Sequence, residues 1–364
     1  MKKGTMIIAT VALLVMSCFG LYGCAQNDNA KEEVITADEE TENTDTQQEE
    51  MIEVFSRNPL TYLRMADEAV GKRPVAIMVE NSDSARPQWG MDDENYSPDI
   101  ILEAEVEGGI TRTMWLFADY TALPEIVGPI RSARPPFVRF SELFDAFYIH
   151  WGQSESKANY VGADDVIAQD GVDNINQLDF KSSVSLFGRN NERNVALEHT
   201  GVIYGEKLPQ VIEDYGYRTQ IDESKFTSLE FNEEPIRVSD TDCNEIIIDI
   251  SSRSWTKHWT YSKEDELYHT DDFRNNLTRE NILVLFDQTE YITKPGASFS
   301  YCNYALAGGE GKFASEGSIM DIEWSVVDGK LVLRDSNNQI IKLNPGKSYI
   351  AWISANRGGN VEVN

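Results

Sequence analysis

Basic charge is what this chain lacks most: across 364 residues, 32 lysines and arginines face 61 aspartates and glutamates, for a net charge of −29. A surface of that sign repels nucleic acid and anionic lipid, which both need a basic footprint, and it weakens the case for a polyanionic ligand. Histidine is scarce as well. His150, His199, His258 and His269 never stand three or four residues apart, which excludes a helical zinc pair. There is no P-loop, no dinucleotide fingerprint and no G-x-S-x-G elbow, so no cofactor is expected and no metal site is assigned. Cys18 and Cys24 fall within the first 24 residues, which leaves Cys243 and Cys302. Two cysteines make no disulfide framework, and burial as free thiols is the simpler reading. A membrane-spanning run is missing too, since the apolar stretch from Met6 to Leu21 has about sixteen residues where a span needs about 20.

What the N-terminus does contain is a leader. Lys2 and Lys3 precede the apolar run, and Leu21-Tyr22-Gly23-Cys24 closes it. That closure resembles the lipobox of bacterial lipoproteins, which implies that the Cys24 thiol takes a diacylglyceryl group and becomes the mature N-terminus. Two acyl chains anchor stably where one is marginal. Residues 25–53 follow with eleven acidic side chains against the single Lys31 and almost nothing to bury. Such a segment is expected to stay disordered as a tether, with an r.m.s. reach of roughly 30 Å. The expectation is a signal peptide over 1–24 and a tether over 25–57. The folded part then stands outside the cell membrane and touches it only through the lipid.

With the leader's two lysines and the tether's ten-charge excess set aside, residues 54–364 keep a net charge of −21. Their length suggests two domains. Over 58–235, candidate strands at 74–80, 99–103, 111–117 and 146–151 interleave with a helix opening on Pro135-Pro136, which points to an α/β or α+β domain. Phe137, Phe140, Phe144 and Phe147 recur at helical spacing and read as a core stripe, and Gly108-Gly109 reads as a hairpin turn. Over 236–364 the pattern becomes mostly antiparallel β, with strands at 245–250, 255–261, 281–286, 321–327, 330–334, 339–343 and 348–353. Asp328-Gly329 between alternating apolar residues is a type I′ hairpin signal.

Several short motifs converge on one family: Asn58-Pro59-Leu60-Thr61, Arg73-Pro74-Val75-Ala76, Ala85-Arg86-Pro87-Gln88, Glu107-Gly108-Gly109-Ile110-Thr111-Arg112, the stretch from Gly128 to Pro135, and His150-x-Gly152-x-Ser154. Together with Asn281-Ile282-Leu283-Val284, Gly308 to Gly311 and Leu343 to Lys347, they resemble the YerB-like bacterial lipoproteins, a family of two domains, both of unknown function. The resemblance implies a fold and an anchor but no activity.

Chemistry must come from the residues. Arg131-Ser132-Ala133-Arg134 sits at a strand-to-helix junction, where helix N–H groups and guanidinium forks can hold a carboxylate or phosphate. Arg112, Glu107 and His150 complete the candidate ligand site. The alternative is that Arg112, Arg131 and Arg134 are tied to Glu103, Glu105 and Glu107 in a network that fixes the fold. These three glutamates alternate and are expected to share one strand face. A dispersed triad of His150 with Ser132 or Ser154 and an acid also stays open, because triads are spatial. The expected function is a membrane-anchored binding or adaptor protein at the cell envelope, partnered by an envelope protein or cell-wall component. The alternative is an envelope hydrolase using His150.

Overall fold

Alternation along three early strands sets the architecture. The computed structural model describes residues 56–93 and 95–364. The leader, Cys24 and the acidic segment up to residue 55 lie outside the described residues. β1 (Val75–Glu80), β2 (Ile100–Glu107) and β3 (Ile110–Phe117) lie in the order β2-β3-β1, with both pairings antiparallel. Along β2, Ile100, Leu102, Ala104 and Val106 enter one core layer and Ile101 enters the other. A strand does this when both of its faces are covered. Gly108 and Gly109, with φ of 66° and 86°, make the turn between β2 and β3, as a two-residue hairpin requires.

One face is covered by α1 (Pro135–Glu142), which opens on its two prolines as the sequence suggests. Phe137, Phe140 and Phe144 are buried with Leu102, Met114 and Trp352, and each such burial contributes about 1.5 to 3 kcal/mol. Phe147 does not continue that stripe. The helix ends at Glu142, and Phe147 begins the strand Phe147–His150, whose period of two sends it to the opposite layer.

The C-terminal half extends the same sheet. Ser348–Ser354 runs parallel to β2, from Ser348 opposite Ile100 to Trp352 opposite Ala104, and Asn281–Asp287 lies parallel beside it. Gly309–Ser315, Ser318–Val327 and Lys330–Arg334 then follow antiparallel, within a sheet of twelve strands that both halves share. Asp328 and Gly329, with φ of 51° and 76°, form the expected hairpin turn. A second sheet of five antiparallel strands, which includes Glu245–Asp249 and Lys257–Ser262, covers the face opposite α1. Its Trp259 meets Tyr349 of the central sheet with ring centroids 5.0 Å apart. The described residues from 56 onward form one compact unit.

Three further expectations change. Residues 339–343 form no strand; Ile340 and Leu343 make only single bridges, to Arg334 and Phe231. Ser56 and Arg57, assigned to the tether, are held by a Ser56 Oγ bond to Asp67 at 2.7 Å and a bridge from Arg57 to Arg64. The three glutamates do not share a face, because a register shift between Glu105 and Glu107 breaks the alternation. Cys243 and Cys302 are buried free thiols in opposite core layers.

Candidate functional site

Helix α1 cannot bind an anion through its backbone. Pro135 and Pro136 have no N–H, and the N–H groups of Phe137 and Val138 donate to the Arg134 carbonyl. The arginine side chains are engaged as well. Arg134 forks onto Glu107, with Nε to Oε2 at 2.9 Å and Nη2 to Oε1 at 2.5 Å. Arg112 donates Nη2 to the same Oε1 at 3.2 Å and Nη1 to the Ser132 carbonyl at 2.5 Å. Burial raises the Glu107 carboxyl, but Arg112 and Arg134 outweigh it and hold it below its ordinary range. Arg134 gains from the pair and moves up, since Glu107 outweighs its burial. Arg112 moves down to about 9, through burial and the neighbouring Arg134. One carboxylate serves two buried guanidiniums, and the one that forks onto it benefits more.

The remaining candidates separate. Arg131 turns away from Glu107, with Nε 3.6 Å from Glu80 and Nη1 3.9 Å from Glu198. Glu80 also accepts from Ser82 Oγ at 2.8 Å and faces His199 Nδ1 at 2.9 Å. The sequence contains no local signal for this Glu80–His199 pair, whose members lie 119 positions apart. His150 is fully buried and meets neither serine: Nδ1 lies 2.8 Å from the Gly152 carbonyl and Nε2 3.1 Å from Asn174 Oδ1. Burial lowers its pKa from the ordinary histidine value, against the opposing pull of the Gly152 and Asn174 contacts. Ser132 donates to the Trp151 carbonyl, and Ser154 accepts from Tyr160 and from the Ala163 N–H. Glu105 accepts from the Gly109 N–H and the Tyr291 hydroxyl. Glu103 lies fully buried against Lys257, Nζ to Oε1 at 3.1 Å.

An open site lies beside the β2–β3 turn. Among the described residues, ten line a cleft of about 600 Å³, none of them acidic, including Arg253, Arg357, Ser252, Ser298 and Phe299. It shares Gly108 and Arg253 with a cavity of about 240 Å³ lined by Arg86, Trp255 and Asn81. Arg357 stacks over Tyr291 at 4.5 Å and has no carboxylate partner among the described residues. The Arg253 guanidinium has no partner of any kind among them. Trp255 and Phe299 are 51% and 42% exposed. Gly109 permits this geometry, since a Cβ there would come within 2.4 Å of Arg253 Cβ. Sequence reasoning missed these residues. They come from separate loops and the short 3-10 helix Ala355–Arg357, and only Ser251-Ser252-Arg253-Ser254 and Asn356-Arg357-Gly358-Gly359, arginines amid turn formers, hint at them.

Comparison with known proteins places this architecture. A model described as the N-terminal domain of a protein of unknown function, DUF3048, matches residues 60–218, and the model of its C-terminal domain matches residues 248–350. The chain belongs to this YerB-like two-domain family. It is 28% identical over 304 residues to the Bacillus subtilis (strain 168) protein described as "Putative lipoprotein YerB", covering 80% of this chain and 84% of that one. The crystal structure of the YerB protein from Bacillus subtilis matches with a TM-score of 0.67 at 26% identity, over 84% of this chain and 99% of that one. The family descriptions assign no activity, so function must be argued from the site.

Proposed function

We propose that this protein is a lipid-anchored binding protein on the outer face of the cell membrane, and that its ligand is a small, hydroxyl-rich molecule carrying a carboxylate or phosphate. The observation that carries this reading is the cleft beside Gly108. In a folded part of net charge −21, the ten described residues that line it include two arginines and no acid. Arg253 and Arg357 supply forks for a planar anionic group. Ser252 and Ser298 supply hydroxyls, and exposed Phe299 and Trp255 offer faces for a sugar ring or apolar group. The acidity elsewhere repels a long polyanion but is screened beyond about 8 Å at physiological salt, which favours a ligand of one or two charges. The likeness to a protein described as a lipoprotein and the Leu21-Tyr22-Gly23-Cys24 motif support the anchor.

Calorimetric titration with N-acetylmuramic acid, N-acetylglucosamine 1-phosphate and neutral N-acetylglucosamine tests the site. The two charged sugars are expected to bind at least ten-fold tighter than the neutral one, about 1.4 kcal/mol, and Arg253→Ala is expected to remove the difference. Equal affinities for all three sugars reject the reading. The anchor is tested separately: Cys24→Ala is expected to abolish incorporation of labelled fatty acid, and normal labelling of the variant rejects it.

A further inference from the structure

The polar cluster beneath Lys257 has more order than an ion pair requires. Lys257 and Glu103 are both fully buried, and Asn81 nearly so. Lys257 Nζ lies 3.1 Å from Glu103 Oε1, and Asn81 Nδ2 donates to that same oxygen at 2.9 Å. The orientation of the amide is set by its neighbours. Arg86 has only donors, and its Nε and Nη2 both point at one Asn81 side-chain atom at 3.2 Å, so that atom is the oxygen. Gln88 Nε2 adds a third donor to it at 2.9 Å. The Lys257 ammonium and an amide nitrogen thus share one carboxylate oxygen, and three donors surround the amide oxygen.

Three parts that acyl transfer needs are in place: a lysine nitrogen, an acid–base group touching both that nitrogen and the leaving amide nitrogen, and donors placed where negative charge develops. We propose that Lys257 and Asn81 become joined by an intramolecular isopeptide bond, with Glu103 as the proton shuttle. Glu103 takes one proton from the Lys257 ammonium, and the free amine attacks Asn81 Cγ. The charge that develops on Oδ1 is held by Arg86 and Gln88. Glu103 delivers its proton to Nδ2 and takes a second from the attacking nitrogen. The Cγ–Nδ2 bond breaks, the Nζ–Cγ amide remains, and ammonia leaves with that second proton as ammonium. Asn81 also lines the cavity of about 240 Å³, which gives the ammonia a way out. No oxidant or co-reactant is required. The bond would tie the end of β1 to the five-stranded sheet and close a long loop, restricting the unfolded chain as a disulfide does.

Tryptic mapping of the denatured, purified full chain tests this without any variant. The expected result is a branched peptide joining Lys257 to Asn81, lighter by one ammonia than its two parts, with no cleavage after Lys257. Separate linear peptides with cleavage after Lys257 overturn the proposal, and so does a Lys257–Glu103 amide, which is recognised by loss of water. Lys257→Met and Glu103→Gln are both expected to give only linear peptides. Undiminished cross-linking in Glu103→Gln overturns the shuttle.

Discussion

Two sets of arginines in this molecule do opposite things with the same chemistry. Arg112 and Arg134 are buried around Glu107, whereas Arg253 and Arg357 stand exposed around a cleft that no acid among the described residues lines. Arg134 comes from the Arg-rich stretch that draws attention in the sequence and Arg112 from the strand after the glycine turn, and together they are architecture. Exposure without an opposing carboxylate, rather than clustering along the chain, distinguishes a guanidinium that can receive a ligand from one already spent. A buried charge with one partner removed costs several kcal/mol, while an exposed one costs almost nothing.

That difference is open to direct attack, and the largest effect is expected at Glu107. Glu107→Ala leaves two buried guanidiniums without their carboxylate and is expected to cost about 3 to 5 kcal/mol in urea unfolding. A loss below about 1 kcal/mol would erase the contrast between the two sets. The folded pKa of Glu107 lies below its unfolded value, so its stabilisation is present above the ordinary carboxylate range and is lost as pH falls through the folded value. Wild-type stability is therefore expected to drop more steeply than that of the variant below about pH 5.

Arg131 occupies the middle ground, with a side chain 26% exposed and two loose carboxylate contacts. Arg131→Ala is expected to cost about 1 kcal/mol or less, because His199 and Ser82 still hold Glu80. A loss as large as that of Glu107→Ala would move Arg131 into the architectural set.

Glu142 sharpens the contrast from the acidic side. It is raised to about 7 by burial and by Asp170, which Arg139 and Lys225 only partly offset. The folded chain then holds a proton that the unfolded chain releases, so this residue lowers stability as pH rises from about 4.5 to 7. Glu142→Gln is expected to flatten that decline, and an unchanged profile of melting temperature against pH would contradict the assignment.

The smallest stability change belongs to the cleft. Arg253→Ala and Arg357→Ala are expected to shift unfolding by no more than about 0.5 kcal/mol while weakening N-acetylmuramic acid binding at least ten-fold. Loss of cooperative folding in Arg253→Ala would show that this guanidinium is structural after all.

Short-range features were legible from sequence for physical reasons that act over a few residues. Gly108-Gly109 and Asp328-Gly329 announced their turns through tolerance of positive φ, and Pro135-Pro136 announced the start of α1. Phe147 misled because helical spacing was read past the point where the helix stops, and 339–343 misled because apolar alternation has no ladder to join there. Of the candidate site, Arg112, Ser132, Arg134 and Glu107 lie in mutual contact, but whether they held each other or a ligand was undecidable from order along the chain. Arg253 and Arg357 were overlooked because one sits in an ordinary turn and the other ends a short 3-10 helix.

By itself the sequence determined the apolar N-terminal run and the Leu21 to Cys24 motif that closes it, the acid excess, the two textures of the folded part, and the turns and strands whose signals are local. Only the tertiary structure decided that Ser348–Ser354 would lie beside β2 and merge both halves into one sheet, that Glu107 would receive two arginines, and that Lys257 would meet Glu103. Turn preference and periodicity arise from the sterics of neighbouring residues. The pairing of a charge is set instead by strand register and burial across more than a hundred residues, where no short stretch of sequence contains the answer.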